Sequence, residues 1–385
     1  MNILHLDTGR EWRGGQQQVL FLMEGLRRRG HQQLLAAPAG SPLAEVARRR
    51  DLPLHPLKLA GRSFANLNAV GRLAKDFDIL HAHDGHAHSL AWLAAAAHRN
   101  HGGHHLVVSR RVAFPIGKFG RMKYAAADAY IAVSEYGRQQ LLQANIPGRK
   151  VHVVYDGVAM PPPSDPAARR AFRDRLDVNA DASVIGTFTA LAPEKRLQEQ
   201  LDLLAMLPRS VHLWMGRPAT APPQDDMQTV FTDYAKYRQV QDRFRIVTLA
   251  DDLGVFMDSL DVFLYLSRAE GLGSAILLAM AHGLPIIASR VGGIPEIVRH
   301  NETGLLVTDL PAGETFNAEL CSAVSLLLRN EQMRRQLGLA GQEFVLANAT
   351  TEIMVQKTEA VYEQLLHAKR HAQIDGGIGA LGATR

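Results

Sequence analysis

In residues 269–282, AEGLGSAILLAMAH, one carboxylate, Glu270, precedes two glycines around a leucine and then an apolar run. A strand-like DVFLYL lies before it and a helical SAILLAMAH after it, so Gly271, Leu272, Gly273 and Ser274 open a helix. Amides free at such an N-terminus favour an anion. A diphosphate held there leaves Glu270 to accept hydrogen bonds from hydroxyls. The plain alternative is a carboxylate that only complements the helix start. Upstream, TFTALAPEKRLQEQ (187–200) places Lys195 where a loop becomes a helix, a position suited to a phosphate.

Three further loops lie nearer the N-terminus. DTGREWRGGQQQV (7–19) follows a strand with Gly14 and Gly15, which allow close approach of a ligand to the backbone or simply form a tight turn. DILHAHDGHAHSLA (78–91) carries His81, His83, His86 and His88. The first pair ends a strand and the second begins a helix, so the four are not expected to converge on a metal, and no cysteine completes a shell. A single histidine donating to a substrate oxygen is the expectation instead. SRRVAFPIGKFGRMKY (109–124) alternates Arg110, Arg111, Lys118, Arg121 and Lys123 with apolar residues. That pattern suits a phosphorylated acceptor or an anionic lipid surface, or else a surface helix with snorkelling cations.

The elements that must position these loops alternate along the chain. Strand-like runs at 2–7, 32–38, 52–58, 77–83, 104–109, 129–134 and 151–156 are separated by amphipathic stretches, which predicts an α/β architecture with a mainly parallel sheet. VAMPPPSDPAARRAF (158–172) interrupts the pattern with three consecutive prolines. The alternation then restarts at 183–189, 211–216, 243–249, 261–266 and 285–289. The expected domains are therefore 1–163 and 164–350, followed by a helix over 351–370 and a disordered tail over 371–385.

Composition sets outer bounds. The chain has 385 residues, 46% hydrophobic and 21% charged, enough for two cores, and a single cysteine, Cys321, excludes a disulfide framework. No apolar stretch approaches the roughly 18 residues of a membrane span, and no N-terminal signal pattern is evident, so a cytoplasmic protein is expected. Residues 1–163 hold 21 of the 43 basic and 11 of the 38 acidic side chains, a balance of +10 against −5 in the rest. A basic first half points to an anionic partner. Nucleic acid is not expected, because no recognised binding module accompanies the charge.

The blocks SRAEGLG and AMAHGLPIIASRVGGIPEIV (279–298) resemble the signature of the GT-B retaining glycosyltransferases of family 4 (glycosyl transferases group 1). WRGGQQQV, LHAHDGHAH, IAVSEYGRQQLL, VYDGV, LAPEKR and NETGLLV resemble further blocks of that family, in the same order. The resemblance covers nearly the whole chain except the tail. It implies a GT-B fold, two Rossmann-like domains with parallel sheets facing across a cleft, the last helix crossing back to the first domain. It implies a nucleoside diphosphate sugar as donor, bound mainly by the second domain, an acceptor on the first, and no metal or other cofactor. By position, His83, Lys195 and Glu270 match residues of the reacting centre. Gly14 and Gly15 match the loop near the diphosphate, Gly271 to Ser274 line the donor site, and Arg110 and Arg111 fall where an acceptor is expected. Transfer with retention in lipopolysaccharide or surface polysaccharide synthesis is the implied activity, with a lipid-linked or glycan acceptor and a peripheral contact on the inner face of the cytoplasmic membrane.

Two departures stand out. The second carboxylate of the family's Glu-x7-Glu motif, which typically holds ribose hydroxyls, is Leu278 here, and the phosphate-binding arginine before the lysine loop is Ala190. Each charge-assisted hydrogen bond contributes roughly 1.5–3 kcal/mol, so the two losses together cost about 3–6 kcal/mol if uncompensated. Arg217, in MGRPAT after a strand, is a candidate replacement cation. A catalytically weak or inactive relative that binds a glycan or a partner protein is the alternative reading.

Overall fold

The structure, a computed structural model, describes residues 1–58, 64–97, 103–112, 116, 121–219, 225–308 and 318–381. Lys118 and most of the apolar residues around it in the basic loop lie outside these. The chain forms two compact units, Met1–Tyr155 with Thr351–Arg385, and Asp156–Thr350. The division falls at Tyr155, ahead of the proline run expected to mark it. The prolines instead lead into the helix Pro166–Arg175, which Asp165 caps through the Ala167 amide with Pro166 at its first position.

In the first unit, β1 (Asn2–Leu6), β2 (Gln32–Pro38), β3 (Leu54–Leu57), β4 (Ile79–Ala82), β5 (His105–Arg110), β6 (Ala129–Ala132) and β7 (Val151–Val153) form a sheet in the order β3-β2-β1-β4-β5-β6-β7. Every pairing in it is parallel. In the second unit, β8 (Ser183–Phe188), β9 (Val211–Pro218), β10 (Phe244–Leu249), β11 (Val262–Tyr265), β12 (Ile286–Ser289) and β13 (Leu305–Val307) run parallel in the order β10-β9-β8-β11-β12-β13. Strands such as VFLY and IIAS are buried along their whole length, because helices cover both faces of a parallel sheet. Each sheet is Rossmann-like, as the GT-B resemblance implies. β13 is the strand that the periodicity does not predict: three residues at the end of NETGLLV carry too little pattern.

On one face of the first sheet Leu4, Leu80 and Val108 pack with Leu90, Ala91 and Ala94 of the helix Gly85–Ala97. On the other, Ile3, Ile79, Val107 and Ile131 meet Leu22 and Leu26 of the helix Gly14–Arg28 and Met354, Val355, Val361 and Tyr362 of the helix Thr351–Leu381. Each fully buried apolar side chain of this kind contributes about 1.5–3 kcal/mol. In the second unit Ile185, Leu213, Leu264 and Ile287 form the core on one face, and Trp214 packs against Phe172 and Phe256 on the other.

The C-terminal helix corrects one expectation. It continues to Leu381, so residues 371–381 are helical and not a disordered tail; no proline interrupts them, and a glycine costs only about 1 kcal/mol in a helix. Its attachment to the first unit is polar as well as apolar. Glu359 accepts from Arg29 Nε at 2.6 Å and pairs with His31 Nε2 at 2.5 Å, while Arg29 also reaches Glu352 at 3.0 Å. Burial pushes the Glu359 carboxyl up, but His31 and Arg29 outweigh it and hold it below its ordinary range. Glu359→Ala should lower stability by about 1–2 kcal/mol, since Arg29 is partly solvated and His31 loses its partner. A urea midpoint unchanged from the parent would show that the apolar contacts alone dock this helix.

Candidate functional site

In a parallel α/β sheet the loops diverge where the strand order reverses, leaving a crevice at the carboxyl ends. In the second unit the reversal falls between β8 and β11. The loop from β8 ends in a single 3₁₀ turn, Pro193–Lys195, and the loop from β11 carries Glu270. Lys195 Nζ lies 2.6 Å from Glu270 Oε2 and 3.0 Å from the Tyr265 hydroxyl, which in turn donates to the same carboxylate oxygen at 2.9 Å. Burial lowers the affinity of Lys195 for its proton, but Tyr265 and Glu270 outweigh it, so the ammonium is held above its ordinary range. Burial, then Glu270, keeps the Tyr265 phenol protonated. The ammonium expected to face a phosphate is thus satisfied internally by the carboxylate expected to face hydroxyls.

The backbone around Glu270 is fixed by glycines. Gly292 has φ +54°, and a Cβ there would sit 1.9 Å from the Glu270 carbonyl oxygen. Gly293 N donates to that same carbonyl at 3.2 Å. Gly273 begins the helix Ser274–Ala281 at φ 102°, a left-handed conformation that a side chain disfavours. Gly271, Leu272 and Gly273 are buried, and the Ser274 hydroxyl donates to Asp156 Oδ2 at 2.5 Å. Leu278 is half-buried on the same helix, and Ala190 is exposed just beyond β8. Arg217 is not in a loop after β9, as its sequence context suggests, but within it: Thr248 of β10 is its register partner and the strand runs to Pro218. Thr189 N donates to the Gly216 carbonyl, so Arg217 comes to the same edge as Ala190 from the next strand.

In the first unit the reversal falls between β1 and β4. Asp7, directly after β1, accepts from Gly9 N at 2.9 Å and from Gln16 Nε2 at 3.2 Å. Burial, and then Asp84, pushes its carboxyl up to about 6. Gly14 and Gly15 begin the next helix, and a Cβ on Gly15 would meet the Arg111 side chain at 3.6 Å. Burial lowers the Arg111 guanidinium to about 10 against the pull of Asp7. Gly15, Arg111 and Asp7 therefore form one neighbourhood, with His81 and His83 close enough to feel the Arg111 charge. Arg110 does not join it. Its Nη1 donates to the Tyr124 hydroxyl at 2.8 Å, and its guanidinium lies over that ring, because successive side chains of β5 point to opposite faces. Lys123 donates to Gly85 O and Ser89 Oγ, both at 3.1 Å.

The histidines divide in a way the segment alone does not reveal. His86 is exposed, and His88 Nε2 lies 3.2 Å from the Lys123 carbonyl. His81 and His83 instead meet His5, the β1 register partner of His81. Ligand atoms of the three lie within 4.8 Å of one another. Five of their six ring nitrogens are hydrogen-bonded: His5 Nδ1 with His83 Nε2 at 3.0 Å, His5 Nε2 with Gln33 Oε1 at 3.0 Å, His81 Nδ1 with the Tyr362 hydroxyl at 2.6 Å and His81 Nε2 with Ser109 Oγ at 2.8 Å. Burial lowers His5 to about 4, and burial, then the neighbouring imidazoles and Arg111, place His81 and His83 well below the ordinary range. The cluster is a hydrogen-bonded core of neutral imidazoles. Tyr265, His5 and Gln33 are the residues that the sequence reading misses; the one signal for Tyr265 is a polar atom ending an otherwise apolar strand.

These histidines make stability pH-dependent. In the unfolded chain they take up protons near 6.5, whereas folded His5 does so only near 4, so the stability present above 6.5 is lost as pH falls through 4. His5 alone accounts for about 3 kcal/mol of this. His81, His83 and His88, the last lowered to about 3 by burial, act in the same sense. Asp7 acts oppositely: its folded value is raised, so its contribution is present below about 4 and lost through about 6. With four histidines against one carboxylate, urea midpoints should fall between pH 7 and 4.5. A flat or rising profile would contradict the neutral cluster.

Comparison with known proteins identifies the family and the fold. Residues 12–160 match the family model Glycosyltransferase Family 4, and residues 183–330 match Glycosyl transferases group 1. A GDP-mannose-dependent alpha-mannosyltransferase of Mycobacterium tuberculosis is 26% identical over 86% of this chain and 88% of its own. The lipopolysaccharide core biosynthesis glycosyltransferase LpsE of Rhizobium meliloti is 29% identical over 51% of this chain and 53% of its own. Other relatives align over 35% and 65% of their own lengths, so the chain spans about a third to two thirds of several proteins that it matches. The crystal structure of Anabaena HepE in complex with UDP and glucose superposes with a TM-score of 0.81 at 19% identity, over 94% of this chain and all of that one. With both halves of the chain matched in order and the two parallel sheets in place, the protein belongs to the family 4, group 1 glycosyltransferases of GT-B fold.

Proposed function

We propose that the protein transfers a sugar from a nucleoside diphosphate sugar to an acceptor hydroxyl with retention of the anomeric configuration. The donor is held mainly by residues 164–350 and the acceptor by residues 1–163. The observation that carries this reading is the Lys195–Glu270–Tyr265 cluster at the strand-order reversal of the second unit, beside the buried glycine turn 271–273. A diphosphate that displaces Glu270 from Lys195 gains a cation and frees a carboxylate for sugar hydroxyls in one exchange. His83, Gly14 and Gly15 serve the donor from the first unit, and Arg111 faces the acceptor. Arg110, engaged with Tyr124, supports the loop from behind. No protein nucleophile is required: the leaving diphosphate takes the acceptor proton while positive groups stabilise its developing charge. Neither a metal nor another cofactor enters this reading.

LpsE, with its role in lipopolysaccharide core synthesis, favours a surface polysaccharide or lipopolysaccharide product, and the basic first half favours a lipid-linked or otherwise anionic acceptor at the inner membrane face. No helix among the described residues is long and apolar enough to cross a membrane, so such contact is peripheral in this reading. The second reading, a weak or inactive relative that binds a glycan or partner, draws on Leu278, Ala190 and the internal pairing of Lys195.

Thermal unfolding in the presence of UDP, GDP, ADP and their common sugar conjugates separates the two. Ligand at 100 times its dissociation constant should add about 2.7 kcal/mol of stability for one nucleotide class, and flat curves at millimolar ligand would favour the second reading. Arg217→Ala should weaken that nucleotide by about tenfold or more if Arg217 supplies the guanidinium missing at Ala190. An unchanged affinity in Arg217→Ala, with binding abolished in Lys195→Ala, would remove Arg217 from the site.

A further inference from the structure

His5 and Gln33 have no part in the chemistry outlined above, yet both are bonded into the histidine cluster, and their hydrogen bonds can be assigned one after another. Gln33 Nε2 donates to the Met23 carbonyl at 2.9 Å. A carbonyl only accepts, so the amide orientation is fixed and Gln33 Oε1 is the atom facing His5 Nε2 at 3.0 Å. Oε1 must accept, so His5 Nε2 carries a hydrogen. A neutral His5 then has its lone pair on Nδ1, and His83 Nε2, 3.0 Å away, has to donate to it. A neutral His83 with its hydrogen on Nε2 has a bare lone pair on Nδ1. That atom is buried and has no partner among the described residues, in a side chain that is 5% exposed. A buried acceptor left unpaired is destabilising, and a ligand's donor would remove that penalty.

His81 does not disturb the assignment. Both of its ring nitrogens are engaged elsewhere, Nδ1 with the Tyr362 hydroxyl and Nε2 with Ser109 Oγ, so either tautomer of His81 leaves the His5–His83 bond as assigned. The charged neighbours of the cluster are Arg111, which disfavours any added proton on these rings, and Asp7, which faces Gly9, Gln16 and Arg111.

We infer that Gln33 and His5 are positioning residues that set the polarity of His83, so that its Nδ1 accepts a hydrogen bond and this part of the site takes a hydroxyl or other donor group and not a carbonyl or carboxylate oxygen. This reverses the expectation of a histidine that donates to a substrate oxygen. The ligand half of the inference rests on the glycosyltransferase reading, in which His83 meets the donor sugar; the relay itself does not.

The relay is tested on the full-length chain, labelled with ¹⁵N-histidine and free of ligand, by long-range ¹H–¹⁵N correlation at pH 7. Resonances are assigned by His5→Gln and His83→Gln. The expected result is that His5 and His83 both carry hydrogen on Nε2 and have unprotonated Nδ1. Gln33→Glu, which keeps an acceptor for His5, should preserve the pattern, and Gln33→Leu should scramble or reverse it at His83. An Nδ1–H or doubly protonated His83 in the parent chain, or a pattern indifferent to Gln33→Leu in a folded protein, would overturn the relay. The ligand half is read with UDP-glucose, or GDP-mannose where that is the sugar nucleotide that raises the unfolding temperature, and its monofluoro sugar analogues, since fluorine cannot donate. One analogue should bind about tenfold more weakly than the parent sugar, and Gln33→Leu should erase the difference. Binding of the sugar nucleotide with no analogue discriminated in this way overturns the hydroxyl assignment while the transferase reading stands. Absence of binding by either sugar nucleotide counts against that reading and against the hydroxyl assignment, and leaves the relay to be decided by the spectra.

Discussion

Strands that all run one way must each be re-entered by crossing back over a face of the sheet. Every loop that leaves a carboxyl end therefore gathers along one edge, and each sheet here reverses its order once along that edge, between β1 and β4 and between β8 and β11. The chemistry follows this constraint. Asp7 and His83 are neighbours because Leu6 and Ala82 are register partners, and Lys195 meets Glu270 because their strands flank the second reversal. Residues separated by tens of positions in sequence reach hydrogen-bonding distance through strand order alone.

Charge at the two edges is handled differently. In the second unit an ammonium, a phenol and a carboxylate satisfy one another, with the carboxylate's backbone held by Gly292 and Gly293. In the first unit burial keeps the imidazoles neutral, while Asp7, raised to about 6, and Arg111, lowered to about 10, stay oppositely charged at neutral pH and offset one another. One edge offers a cation already paired, which an anion can capture by exchange. The other offers directional hydrogen bonds with little net charge.

Much of this was legible in the sequence, and what was not has a physical cause. Strands of a sheet covered on both faces read as apolar runs, so all but β13 stand out, and Lys195 and Glu270 lie in loops whose neighbouring glycines and helix starts are local features. Arg217 reads as a loop residue because it is charged, yet β10 continues the pairing past it. Tyr265, His5 and Gln33 do not show, because their roles come from register between distant strands and not from spacing along one. Arg110 and Arg111 look like a pair in sequence, but strand alternation sends them to opposite faces. The three prolines break the local pattern six to eight residues after Tyr155, where the units divide, since compactness is decided by long-range packing that proline content does not report.

The first unit is built from both ends of the chain, and this has a consequence for synthesis. The face of its sheet carrying Ile3, Ile79, Val107 and Ile131 takes part of its cover from Met354, Val355, Val361 and Tyr362. Those residues leave the ribosome only after the whole of Asp156–Thr350 has been made. At about 5–20 residues per second, that interval is on the order of 10–40 s. During it the nascent first unit presents an uncovered apolar strip while the second unit, continuous in sequence, can complete its own core. The member of the pair that begins first is the one that finishes last.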